Sequence, residues 1–344
     1  MTTPTNMPLV SFCLMACRQK ELIREALQAA LAQDYEPLEV LVSDDNSQDG
    51  TWEIVQETVK EYKGPHKVIL NHNEPNLGTI GNWQKLCSMA SGELLIKADG
   101  DDVSYPNRAR CIAEDWVASG RKAVVMASSY DEMDGSGNII GEKRLPGGWD
   151  ERSTRDIIEG AHYFYLGATI ACHRSLFDDF PLISHPKSSD CAAYEARGLF
   201  CKMVVNGAEN PGEVFHPFRT ISQKLVKYRL GSGDTTGGEY RKFMTKGIRR
   251  SLEARRQALS DLESTAKSYL PAEYYNELHE LYSSSANRLE NVVRLWDGDT
   301  FAERLAGYKN IPHKDGFFSK KSIIEKLLLL PKGLSNFIFQ LLRH

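Results

Sequence analysis

The stretch Glu93-Leu94-Leu95-Ile96-Lys97-Ala98-Asp99-Gly100-Asp101-Asp102 is a short apolar run that ends in three carboxylates within four residues. Glu93 to Lys97 is too short for a helix and rich enough in aliphatic residues to read as a buried strand. Carboxylates this close repel one another unless water solvates them or a cation compensates them. Hard divalent ions take oxygen ligands and often bridge a carboxylate to substrate phosphates. Gly100 allows a close backbone approach or an unusual turn. Taken alone, the cluster reads more simply as an acidic surface turn capping the helix that starts near Pro106.

Toward the N-terminus the same alternation repeats. Leu9 to Met15 reads as a strand, and Glu21 to Gln33 as a helix with Leu22, Ile23, Ala26, Leu27, Ala30 and Leu31 on one side. Leu38 to Val42 is a second strand, Thr51 to Tyr62 a second helix, Val68 to Leu70 a third strand and Gly81 to Ala90 a third helix. Strand and helix in alternation imply a mostly parallel sheet flanked by helices. Ligands of such sheets bind outside the carboxyl ends of the strands. Both acidic segments, Ser43-Asp44-Asp45-Asn46 and Asp99 to Asp102, fall at such ends. Asp49 or Thr51 suits a helix cap. Two adjacent carboxylates exceed what a cap needs, and one could accept a hydrogen bond from a nucleobase. Asn76 to Asn82 is a loop entering a helix, explained by turn chemistry or by a ligand-facing role.

The second half is more mixed. Ala123 to Met126 and Ala168 to Cys172 read as strands, and Asp134-Gly135-Ser136-Gly137-Asn138 as a turn between strands. Its glycines do not open a helix after a strand, so they are not read as a dinucleotide site. Tyr240 to Trp296 is polar, charged and helical in pattern, with a break near Pro271.

Bulk properties narrow the classes. With 344 residues, 41% hydrophobic and 26% charged, the chain has the composition of a soluble globular protein. A net charge of −4 gives no support for nucleic acid as a partner. Seven scattered cysteines suggest no disulfide framework, and neither a CxxC pair nor an HExxH segment points to zinc. A cytoplasmic, reducing location is the simpler expectation. Met1 to Pro8 lacks the charged and apolar regions of a signal peptide, and no run reaches the length of a membrane span. Lys314 to His344 interleaves six Lys or Arg with aliphatic and aromatic residues. Such a tail suits either peripheral contact with the inner face of a membrane or packing on the core.

Taken in order, several segments resemble the family-2 glycosyltransferases of the GT-A fold. They are Leu9 to Ala16, Leu31-Ala32-Gln33-Asp34-Tyr35, Leu38 to Thr51, Asn73 to Gly78, Ala90-Ser91-Gly92-Glu93 and Asp99 to Pro106. The resemblance is strong over residues 8 to 110 and weaker to about 235. It implies a GT-A type, Rossmann-like α/β domain at 8–235, with a nucleotide-binding half at 8–110 and an acceptor half at 111–235. A helical C-terminal region at 236–344, ending in the basic amphipathic tail, completes the expected organisation.

The resemblance also implies roles. Asp45 would contact the donor nucleobase. Asp99 and Asp101 match the family's DxD acids, with Asp101 the better metal ligand and Asp99 also touching the donor. Mn²⁺ or Mg²⁺ would then neutralise the leaving nucleoside diphosphate. Asn76 and Gly78 belong to the donor loop. Where relatives often have an aromatic residue and Asn, this chain has Cys17-Arg18, so Arg18 is expected at the base or phosphate. Asp190 is the expected base for the acceptor hydroxyl, although Ser189 replaces the family's Glu; Asp178, Asp179 and Glu195 are its neighbours in competition. Arg229, just before Gly231 and Gly233, is expected at the diphosphate. His162 to Ala168 suits an acceptor pocket or core packing, and His216 is more simply structural.

The expected activity is inverting transfer of a sugar from a nucleoside-diphosphate sugar, a UDP-sugar by preference. The acceptor would be a saccharide or lipid-linked acceptor in surface polysaccharide synthesis. The alternatives are a nucleotidyltransferase that makes nucleotide sugars and a non-catalytic nucleotide-binding scaffold. The former needs a glycine-rich phosphate loop that is absent after Leu14.

Overall fold

A computed structural model describes residues 7–150, 166–178, 218–230 and 272–310, with isolated positions between 249 and 260. The chain divides into two compact units, Met1–Arg152 with Tyr163–Leu230, and Ser153–His162 with Gly231–His344.

The first unit opens with β1 (Val10–Ala16), α1 (Ile23–Leu31), β2 (Leu38–Asp44), α2 (Thr51–Glu61), β3 (Lys67–His72), α3 (Gly78–Met89) and β4 (Leu94–Asp99). This is the alternation expected from the sequence. It continues through β5 (Val103–Ser104), α4 (Arg108–Ala118), β6 (Val125–Met133), β7 (Ile139–Lys143), β8 (Gly148–Trp149), β9 (Ile170–His173) and β10 (Phe218–Arg229). The strands form one sheet in the order β3-β2-β1-β4-β9-β6-β10-β5, with β7 on β6 and β8 on β10. The first four are mutually parallel, whereas β9 runs antiparallel to both β4 and β6. The result is a mixed α/β sheet flanked by helices.

Alternating side chains sort the strands onto two faces. Val10, Phe12, Leu14, Val40, Val42, Leu94 and Ile96 join Ile23, Ala26, Leu27 and Ala30 of α1 in one core cluster with Ile112 and Trp116 of α4. Helix α1 forms because its apolar residues recur every three or four positions, and that stripe is the buried one. Trp83 and Leu86 of α3 are fully buried but stand outside this cluster, on the other face. The handedness of crossovers accounts for this. The chain steps from β1 to β2 to β3 in one direction, then α3 carries it back to β4 on the far side of β1. The order therefore reverses between β1 and β4, which makes the carboxyl ends of these strands the topological switch point.

In the second unit, the helix Ala272–Asp297 is followed by the helix Phe301–Lys309. Thr300 and Glu303 form a reciprocal capping box that starts the latter. The two helices meet at Gly307, where an added Cβ would lie 2.6 Å from the Asn291 carbonyl oxygen. No helix among the described residues is long and apolar enough to cross a membrane.

Candidate functional site

The switch point brings both acidic segments together. Ala16 is level with Asp44 across β1 and β2, and Met15 is level with Asp99 across β1 and β4. The two carboxylate-bearing strand ends thus flank the end of β1.

Asp44 and Asp45 differ in what they touch. Asp44 accepts from the Ser47 N–H at 3.0 Å and lies 2.8 Å from Nδ1 of His72, whose ring packs on Trp52. Its Oδ1 is buried with no hydrogen-bond partner among the described residues. Asp45 points to the loop after β3. Its Oδ1 accepts from Asn73 at 2.9 Å and from the Leu77 N–H at 2.8 Å, while Oδ2 accepts from the Gly78 N–H at 2.8 Å. The carboxylate therefore sits at the N-terminus of α3, where free N–H groups and the helix dipole favour an anion. Gly78 has φ 75°, a left-handed conformation that a Cβ would oppose. Asn76 donates to the Asp45 carbonyl at 2.6 Å and accepts from the Gly78 N–H at 3.2 Å. Asn73 and Asn82 extend the network, with Asn82 donating to the Ser43 carbonyl at 3.1 Å.

Cys17 and Arg18 close this side. The Cys17 thiol lies 3.8 Å from the Asp45 carbonyl oxygen, and partial burial together with the Asp45 charge raises its pKa. Arg18 takes a left-handed backbone at φ 55°, anchored by donation from its N–H to Ser47 Oγ at 2.8 Å. Its side chain is exposed and makes no hydrogen bond or ion pair among the described residues.

The acidic turn is braced by basic groups. Lys97, almost fully buried, places Nζ 2.8 and 2.9 Å from the two carboxylate oxygens of Asp99. Arg108 is buried beneath the turn and donates to the Lys97 carbonyl and the Ala168 carbonyl, each at 2.8 Å. Burial lowers its pKa to about 10, against the opposing pull of Asp99 and Asp102. Arg229 donates from Nε to the Asp101 carbonyl at 2.9 Å, from Nη1 to the carbonyls of Asp134 and Gly135, and from Nη2 to Glu25 at 2.8 Å. Its guanidinium thus ties the turn to α1 and to the β6–β7 hairpin. Gly100 is required by space, since a Cβ there would lie 2.4 Å from Gln19 Oε1 and 3.0 Å from the Met15 carbonyl oxygen.

Burial and then the charge of Asp99 raise the pKa of Asp101. Burial, followed by Asp99 and Asp101, pushes Asp102 well above the carboxylate range. Tyr228 is raised to about 12 by burial and by the same acids. Among the described residues no three metal-ligating side chains converge. The donor set nevertheless suits a hard divalent ion. Asp99 and Asp101 offer carboxylate oxygens at one strand end, and their mutual repulsion is what a cation relieves. The remaining ligands would come from a diphosphate and water.

Asp45, Arg18, Asn76, Gly78, Asp99, Asp101 and Arg229 are accordingly gathered around the switch point. Asp190, Asp179, Glu195, His216, residues 162–165 and the tail 314–344 lie outside the described residues. Lys97 and Arg108 were not singled out from the sequence. The signal for Lys97 was present: a charge inside an apolar strand, two residues before Asp99 and hence on the same face.

The mixed α/β sheet with acids at its switch point is of GT-A type, as its likeness to solved structures shows. Residues 11–180 match the sequence model described as Glycosyl transferase family 2. The chain carries a family-2 glycosyltransferase domain. EpsE of Bacillus subtilis, assigned as a glycosyltransferase, is 31% identical over 101 residues, covering 29% of this chain and 36% of its own. The GalNAc(5)-diNAcBac-PP-undecaprenol β-1,3-glucosyltransferase of Campylobacter jejuni is 35% identical over 96 residues, covering 28% of this chain and 30% of its own. The matched segments thus span only about a third of these relatives. Among solved structures, TarS of S. aureus superposes with a TM-score of 0.56 at 13% identity, covering 94% of this chain and 82% of the TarS chain. The mannosyltransferase PcManGT of Pyrobaculum calidifontis, in complex with GDP-Man and Mn²⁺, superposes at 0.52 and 15% identity, covering 98% and 88%. These two likenesses concern the fold.

Proposed function

We propose that the protein is an inverting glycosyltransferase. It moves a sugar from a nucleoside-diphosphate sugar, with UDP-sugars preferred, to a saccharide or lipid-linked acceptor in surface polysaccharide synthesis. The observation that carries this reading is the meeting of Asp45 and the Asp99–Asp101 turn across the ends of β2, β1 and β4. A nucleotide sugar presents a base with N–H donors at one end and a diphosphate at the other, and this crevice offers matching chemistry at its two sides. The Campylobacter relative carries a pyrophosphate-linked undecaprenol in its name, and TarS has been crystallised with UDP-GlcNAc. Both support the choice of donor and acceptor class.

In this reading Asp45 keeps acceptor capacity on Oδ2 for the base, and Asn76 and Gly78 shape the wall beside it. Arg18 brings an uncommitted guanidinium toward the nucleotide. A divalent ion, Mn²⁺ or Mg²⁺, held by Asp101 with Asp99 would supply charge neutralisation at the diphosphate leaving group. Arg229 acts through the turn, because four of its five N–H donors are already given to Asp101, Asp134, Gly135 and Glu25. Asp190 would take the proton of the acceptor hydroxyl. The basic tail 314–344 would hold the protein at a membrane surface where a lipid-linked acceptor resides.

The test is a thermal-shift screen of UDP, GDP and CDP with and without Mn²⁺, followed by product analysis. A ligand that binds the folded state raises its apparent stability. UDP with Mn²⁺ should raise the melting temperature of the wild type and not of Asp101→Ala, and turnover should release free UDP. Release of pyrophosphate would favour the nucleotidyltransferase reading. Binding of no nucleotide would reject the proposal.

A further inference from the structure

Lys97 sets the acidic turn apart from a bare pair of carboxylates. Its ammonium bonds both oxygens of Asp99, at 2.8 and 2.9 Å. The lysine side chain is 4% exposed and that of Asp99 28%, so the carboxylate faces outward and the ammonium lies behind it. Strand geometry fixes the pair, since residues two apart on β4 share a face. The backbone opposite is Gly167, where even an added Cβ would stand 3.5 Å from Nζ. Arg108 and Arg229 add two further positive charges around the same turn.

We infer that Lys97 is a built-in counter-cation that keeps Asp99 from acting as a metal ligand in the free protein, so that the divalent ion is recruited with the diphosphate rather than before it. The inference rests on the reading of Asp101 and Asp99 as the metal and diphosphate site. A carboxylate neutralised on both oxygens attracts a second cation weakly, and the ammonium repels that cation as well. Free Mn²⁺ is then held chiefly by Asp101. A diphosphate brings the negative charge that Lys97 has cancelled.

The experiment is Mn²⁺ binding to the nucleotide-free protein, read from the electron paramagnetic resonance signal of free Mn²⁺. Lys97→Met should bind Mn²⁺ at least about tenfold tighter than the wild type, because a unit positive charge next to the site is gone. That gain should disappear in the double variant with Asp99→Asn, whereas Asp99→Asn alone leaves the ammonium uncompensated and should bind Mn²⁺ about tenfold weaker than the wild type. Lys97→Gln keeps a donor toward Asp99 without the charge and should move in the same direction as Lys97→Met. Circular dichroism reports whether each variant is folded. Equal or weaker Mn²⁺ binding in both variants, absence of Mn²⁺ binding throughout, or failure of both variants to fold would overturn the inference. A UDP-induced thermal shift with unchanged Mn²⁺ affinities sinks the inference and leaves the donor reading standing. Tighter Mn²⁺ binding without any nucleotide shift does the reverse.

Discussion

The main-chain N–H of Arg229 donates to Oδ1 of Asp102 at 2.8 Å, joining residues 127 apart in sequence. The last residue of β10 is thereby fixed to the acidic turn by its backbone, while its side chain grips the turn, α1 and the β6–β7 hairpin. Arg229→Met keeps the backbone bond and removes every guanidinium bond. Hydrogen bonds involving a charged group each contribute about 1.5–3 kcal/mol, but not additively. We expect a loss of about 2–4 kcal/mol in urea unfolding, in line with the breaking of a buried network. Arg229→Lys should recover only part of this, since a single ammonium cannot match a planar fork.

Asp45 has a structural duty that is separable from donor contact. Asp45→Ala leaves the N–H groups of Leu77 and Gly78 and the Asn73 amide without their acceptor. Unmade bonds at buried donors cost about 1–3 kcal/mol each, less where water enters. Asp45→Asn retains one oxygen for those donors but loses the charge at the start of α3. Asp45→Ala should therefore melt lower than Asp45→Asn, and neither should show the UDP shift of the wild type. A full UDP shift in Asp45→Asn would remove the carboxylate from the donor site.

Much of the first half could be read from sequence because each β–α step is local. The apolar stripe of α1 and the short runs of β1, β2 and β4 name their own elements, and the acids that follow fall at strand ends without any tertiary information. The antiparallel course of β9 is different: Ala168 to Cys172 marks a strand, but a short apolar run carries no direction. Arg229 could be singled out as a basic residue before glycines, yet its acceptors at Asp101, Asp134, Gly135 and Glu25 lie 94 to 204 residues away. No local pattern encodes those partners. The division of labour between Asp44 and Asp45 was half legible. Alternation says that they face opposite ways, but His72 and the N-terminus of α3 decide which acid meets what.

Gly100 sits where the acidic turn passes closest to the end of β1. In Gly100→Ala the new Cβ would press on Gln19 Oε1, Ile23 Cδ1 and the Met15 carbonyl oxygen. The glutamine tip can swing away, but the strand carbonyl cannot. Overpacking of this kind costs about 1–3 kcal/mol. The turn should shift outward, so Mn²⁺ and UDP binding should weaken along with stability. Adding Gln19→Ala relieves only the softer clash, and should restore part of the melting temperature. Full restoration would show that the Met15 carbonyl is not the limiting contact.

The Asp131–Lys224 pair gives a pH signature away from the candidate metal turn. Asp131 is buried on β6, accepts from Lys224 Nζ at 2.6 Å and from the Tyr105 hydroxyl at 2.6 Å. Burial alone would raise its pKa, but the bonds from Lys224 and Tyr105 outweigh it and hold the carboxyl below the usual range. A depressed carboxylate stabilises the fold above its unfolded pKa of about 3.9, and that contribution is lost as pH falls through the lower folded value. Lys224→Met strands the buried carboxylate with one partner fewer, at an expected cost of about 1–3 kcal/mol at neutral pH. In the variant Asp131 protonates more readily, which removes the penalty in acid. The stability gap between wild type and variant, followed by urea unfolding, should therefore be widest near neutrality and narrow as the pH drops below about 4, with the part due to the Lys224–Glu142 pair lost only as Glu142 protonates toward about 2. A gap that stays constant across that range would mean that the lysine contributes packing and not charge.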